Sequence, residues 1–142
     1  MAATTRTANA HWEGSLFEGK GRVSLDSSGV GAYDVSWPAR TEDPNGMTSP
    51  EELIAAAHSS CFSMAFANQL TKAGYTVESV DTKAEVTFQP GTGITGSHLT
   101  TRASVPGISE EEFATIAEST RTGCPVSGAL AAITITLDAA LA

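Results

Sequence analysis

The sequence predicts an α+β fold, because strand-like segments are gathered before and after one long helix rather than alternating with helices along the chain. Two observations carry that reading. The apolar pattern changes from alternation to helical spacing near Pro50, and the long helix that begins there has both a start signal and a stop signal. Residues 1–142 are expected to form one domain, a length sufficient to bury a core without disulfide support.

After a polar start, His11 to Phe17 and Gly21 to Leu25 read as two strands joined at Glu18-Gly19-Lys20, and a third strand is expected from Gly31 to Val35. Two prolines, Asn45-Gly46 and scattered charge then mark Ser36 to Thr48 as a long loop, a feature that in a compact domain usually has a function. The clearest helix runs from Pro50 to Ala73. Ser49 suits the N-cap, Pro50 the first helical position and Glu52 the capping box, while Gly74 closes the helix. Its small and apolar side chains lie on several faces, so it is expected to be buried on most sides and to need a partner subunit for cover.

Thr76 to Phe88 and Ser97 to Val105 are the next strands, turning at Gln89-Pro90-Gly91-Thr92-Gly93. Ser109 and Glu112 form a second capping box at the head of an amphipathic helix, Glu110 to Arg121. A short helix from Pro125 to Ala131 and a strand from Ile133 to Leu137 complete the order βββ-α-ββ-αα-β.

Composition excludes several functions. With 16 acidic and 8 basic residues the chain has net charge −8, which opposes binding to nucleic acid or to an anionic membrane surface. No apolar run is long enough to span a bilayer and the first residues contain no signal-peptide core, so a cytoplasmic location is expected. The cysteines Cys61 and Cys124 have neither the number nor the spacing of a zinc or thioredoxin-like site, and no metal or cofactor is expected.

Cys61 falls about ten residues into the long helix, where burial raises a thiol pKa unless a fixed cation is near. The chain has three lysines and five arginines, of which Arg40, before the helix, is the best placed partner. It also reads as an ordinary solvated arginine. Glu51 precedes Cys61 by ten residues, a rise of about 15 Å, so it acts through an arginine or simply as a charge at the helix start. His58, three residues before Cys61, shares a face with it and reads either as a base or as a hydrogen-bonded core residue. Cys124, between Gly123 and Pro125, suits a helix N-cap, where backbone N–H groups favour a thiolate. Both cysteines being inert packing residues is the plainer alternative.

The segment SPEELIAAAHSSCFSMAFA at 49–67, with TGCPVSGAL at 122–130, resembles the OsmC/Ohr family (osmotically inducible protein C and organic hydroperoxide resistance protein), and Ala57-His58 favours its OsmC branch. The resemblance implies an intertwined homodimer, two sheets wrapping long central helices. It implies a peroxidase in which Cys61 attacks an organic hydroperoxide, Cys124 resolves the sulfenic acid as a disulfide, and a dithiol reductant, of lipoyl type for example, restores both thiols. Glu51 is then the carboxylate that holds an arginine at the reactive sulfur, with Arg40 as that arginine and Arg22 as a rival. Phe62, Met64 and Phe66, or their counterparts across the dimer, are expected to line the substrate site. A non-enzymatic dimeric module binding an apolar ligand and a thiol redox sensor are the competing readings.

Overall fold

The computed structural model describes residues 1–142, which divide into two compact units, Met1–Pro50 and Glu51–Ala142. In the first, three strands form an antiparallel meander: β1 (Asn9–Glu13), β2 (Lys20–Ser24) and β3 (Ala32–Val35), with Trp12 opposite Gly21 and Arg22 opposite Asp34. The first strand was expected to continue to Phe17. It stops at Glu13 because Gly14 takes φ +91° and Gly19 N–H bonds to Ser15 O at 2.8 Å, folding 14–19 into a turn.

The segment expected to be a long loop contains a helix, α1 (Trp37–Thr41). The Ser36 hydroxyl caps it by accepting from Ala39 N–H at 3.1 Å, and Pro38 lies in the first turn, where its missing N–H costs nothing. Reading Pro38 as a breaker overlooked that Ser36 and Pro38 together are a helix start. Arg40 is therefore in the last turn of a helix, where a cation is favoured. Beyond it, Thr48 N–H bonds to Asp34 O at 3.1 Å, bringing the chain back alongside β3.

The second unit is built on α2 (Pro50–Lys72), β4 (Ser79–Gln89), β5 (Gly93–Ser104), α3 (Glu110–Gly123), α4 (Pro125–Ala129) and β6 (Thr134–Leu141). These boundaries differ from the expected ones by a few residues, most at β5, which starts four residues early at Gly93, and at β6, which continues to Leu141 by pairing with β5 as far as Ala103. Gly74 ends α2 with φ +98°, and Tyr75 N–H reaches back to Leu70 O at 3.1 Å, a Schellman closure. β4 and β5 form an antiparallel hairpin. β6 joins β5 in parallel after the α3–α4 crossover, giving the order β4-β5-β6. The whole is α+β, as the sequence predicts.

Buried residues recur every fourth position on α2, at His58, Phe62, Phe66 and Leu70, and every second position on β5, at Ser97, Leu99, Thr101 and Ala103. With Phe113 and Ala117 of α3 they make the core of this unit. The opposite side of α2 is open in the single chain: Ala56, Ala57 and Ser60 are exposed and Met64 is 72% exposed. The Phe66 ring packs 5.5 Å from Phe62 and 5.2 Å from Phe113, joining α2 to α3.

Phe66→Ala is expected to lower stability by about 3–5 kcal/mol, since it removes a fully buried ring from between two others. Urea denaturation measures this, and a loss below about 1 kcal/mol contradicts a packing centre at Phe66.

Candidate active site

The break between α3 and α4 follows from one residue pair. A residue before proline disfavours the α conformation, so Cys124, preceding Pro125, is extended at φ −64° and ψ 133°. Its N–H still bonds to Thr120 O at 3.0 Å, so Cys124 is at once the last cap of α3 and the N-cap of α4. The side chain is thereby turned into the core, 1% exposed. Cys61, on α2 next to Phe62, is half-buried at the edge of the same core. The two sulfurs meet at 3.2 Å, and both thiols are free.

At that separation one sulfur accepts the other's S–H when it ionises, and their surroundings decide which one does. Burial acts to raise Cys124, but the Ser127 N–H, the Cys61 thiol, the Ser127 hydroxyl and the Val126 N–H offset it, leaving Cys124 below the ordinary thiol value. No side-chain cap hydrogen bond closes on Cys124 at the start of α4. Cys61 is raised, first by burial, against a lowering contact from Val126 N–H, and further by the hydrogen bond and charge of Cys124. Of the two thiols, Cys124 is therefore the one that ionises more readily.

His58 is the core residue of the two readings its position allowed. It is fully buried, with Nδ1 2.7 Å from Ser97 Oγ and Nε2 2.8 Å from Ser127 Oγ, and burial lowers its pKa. Ser97 and Ser127 were not singled out from sequence. Ser127 was detectable only as part of the Cys124-Pro125-Val126-Ser127 block.

Of the remaining predicted residues, Glu51 is buried in the first turn of α2, where a carboxylate also meets the positive end of the helix. Arg40 is half-buried, its guanidinium 6.0 Å from the centre of the Trp37 ring, which in turn meets Phe17 edge-on. Arg22 is exposed and committed elsewhere, with Nη1 2.7 Å from Asp34 Oδ1 and Nη2 bonding to Ala32 O at 3.3 Å. Phe62 and Phe66 do not line a substrate site as expected. Both face the core with no exposure, because they fall on the four-residue stripe, and Met64 faces the other way. No group of three or more His, Cys, Asp or Glu side chains is gathered as a metal site, and no helix is long and apolar enough to cross a membrane.

The family model described as OsmC-like protein matches residues 43–138. The chain is 43% identical to the peroxiredoxin OsmC of Escherichia coli (strain K12) over 136 residues, covering 94% of each. Among solved structures it is similar to an organic hydroperoxide resistance protein OsmC from Legionella pneumophila, with TM-score 0.72, 24% identity and 99% coverage of both chains. It is similar also to an organic hydroperoxide resistance protein from Elizabethkingia anophelis, with TM-score 0.70, 26% identity and coverage of 99% and 100%.

The unequal thiols make opposite shifts testable. Cys61→Ala removes an S–H donor and should raise the pKa of Cys124, whereas Cys124→Ala removes a neighbouring charge and should lower that of Cys61. Alkylation rate against pH reads both. Two thiols that titrate alike, near the free value of about 8.5, contradict the coupling.

Proposed function

This chain belongs to the OsmC family, and we propose on that footing that it is a thiol peroxidase that reduces organic hydroperoxides to alcohols with Cys61 and Cys124. The observation that carries the reading is the 3.2 Å contact between two free thiols, one in a helix interior and one at a helix N-cap.

The reaction starts with the Cys61 proton passing to Cys124. The Cys61 thiolate attacks the terminal oxygen of the hydroperoxide, forming an S–O bond and breaking the O–O bond. The alkoxide leaves with the electron pair, takes the proton back from Cys124 and departs as the alcohol. Cys124, again a thiolate, attacks the sulfenic sulfur of Cys61 to form a disulfide, and hydroxide leaves to be protonated by solvent. An external dithiol, of lipoyl type for example, reduces the disulfide by exchange. Arg40 is the counter-charge of the Cys61 thiolate and Glu51 the carboxylate that orients it. The burial of Glu51 supports this, because a buried carboxylate is costly without a cation. The commitment of Arg22 to Asp34 favours Arg40 over its rival.

The whole chain acts as one domain of a homodimer, a second copy covering the open side of α2 around Met64, with two sheets wrapping the paired helices. The net charge of −8 disfavours nucleic acid and membranes as partners, and a dithiol that must be returned to its reduced form suits the cytoplasm.

Turnover of cumene hydroperoxide with a dihydrolipoyl dithiol, at a higher kcat/KM than hydrogen peroxide, tests the reading, and no turnover of either rejects it. Cys61→Ser should abolish the reaction. Cys124→Ser should consume one equivalent and then stall, the Cys61 peptide gaining oxygen as sulfinic and sulfonic acid. A Cys124→Ser protein that cycles normally removes Cys124 from the resolving role. Arg40→Ala should slow attack by about tenfold or more by raising the Cys61 pKa, and Glu51→Ala should show a milder form of this defect. If Arg22→Ala rather than Arg40→Ala gives the loss, the counter-charge is Arg22.

A further inference from the structure

Two free thiols 3.2 Å apart can be joined to each other, or bridged by a single soft atom, and the separation decides which atom fits. With bonds of about 2.3 Å, the zinc–sulfur length, a tetrahedral centre holds two sulfurs about 3.8 Å apart and a linear centre about 4.6 Å apart. A pyramidal centre with bonds of that length, about 2.3 Å, standing nearly at right angles holds them about 3.3 Å apart. The Cys61–Cys124 separation of 3.2 Å matches the last. Trivalent arsenic bonds in this way, its lone pair pressing three single bonds together, and it prefers thiol sulfur to oxygen.

The surroundings of the pair disfavour a wider centre. Cys124 is tied to both of its helices, its N–H bonding to Thr120 O at 3.0 Å and its carbonyl accepting from Gly128 N–H at 3.0 Å. Cys61 is next to Phe62, whose ring packs 5.5 Å from that of Phe66. A tetrahedral metal also needs four ligands, and no third His, Cys, Asp or Glu side chain is gathered with the two sulfurs. His58, one turn before Cys61, has Nδ1 engaged with the Ser97 hydroxyl and Nε2 with that of Ser127. Arsenic asks for nothing beyond the two sulfurs, because a hydroxyl from water fills its third position. Half-buried Cys61 gives it entry, and Cys124, 1% exposed, takes the second bond from within.

We propose that the reduced Cys61–Cys124 pair is a two-sulfur binding site for trivalent arsenic, taken up as arsenous acid or as an organic arsenoxide. With arsenous acid two S–As bonds form and two As–O bonds break. The two hydroxyls leave as water with the thiol protons, the third hydroxyl stays on arsenic, and nothing is oxidised or reduced. Phenylarsine oxide loses its one oxygen as water and keeps its phenyl group. The bridge occupies the Cys61 sulfur and so blocks any reaction that begins there, whether or not the peroxidase reading holds.

Reduced wild-type protein, freed of small thiols that themselves bind arsenic, is titrated with sodium arsenite. Electrospray mass without reduction should show one arsenic per chain, with both cysteines protected from alkylation and both recovered as thiols after an excess of dithiol. Cys61→Ser and Cys124→Ser should each weaken uptake by about a hundredfold or more, since the second bond is intramolecular. Wild-type protein with its thiols already alkylated should take up none, a control that needs no variant to fold. Zinc chloride at the same concentration should leave both thiols open to alkylation. A single-cysteine variant that binds arsenite as tightly as wild type, arsenic joining Cys61 of two chains, or zinc protection equal to that of arsenic would overturn the proposal. Arsenite uptake by a protein that turns over no hydroperoxide would uphold it and reject the peroxidase reading.

Discussion

The contact between the Cys61 and Cys124 sulfurs, 3.2 Å apart, is the constraint to which the second unit is fitted. A disulfide of about 2.05 Å needs only about 1 Å of closure from there, so both thiols are already placed for bond formation. Holding them so takes two rigid supports. Phe62, Phe66 and Phe113 lock α2 to α3, and the extended Cys124, forced by Pro125, turns the second sulfur back toward α2. Without the proline the α3 helix could run on and carry its cysteine to another face.

The same geometry makes the two thiols unequal. Cys61 is in the middle of a helix, away from either end of the dipole, and burial acts on it with little compensation. Cys124 caps the start of α4, and its S–H neighbour Cys61 and the N–H groups of Val126 and Ser127 favour its ionised form. One sulfur therefore ionises more readily while the other is more open, and the two are close enough for a proton to pass directly between them. A buried pair with equal thiols would lack this division.

Much of this was legible in the sequence because it is written locally. Ser49, Pro50 and Gly74 mark the limits of α2, and Gly123-Cys124-Pro125 marks the break that exposes a cap, all within a few residues of the feature they cause. What was missed depends on distance or context. His58 finds its partners 39 and 69 residues away, which no local pattern reveals. Phe62 and Phe66 were expected at a substrate surface, yet the stripe they share with His58 and Leu70 faces the core. Pro38 was read as a loop marker when Ser36 makes it a helix start, and the ends of β1 and β6 were set by Gly14 and by pairing with β5.

Cys61 and Cys124 are expected to act as one redox unit within a chain. The most direct measurement treats the reduced wild-type protein with one equivalent of cumene hydroperoxide, blocks free thiols and maps the peptides without reduction. A Cys61–Cys124 disulfide within a single chain, formed in step with alcohol release, is the expected product. Both cysteines recovered as blocked thiols, or a disulfide joining Cys61 to Cys61 of another chain, would contradict it.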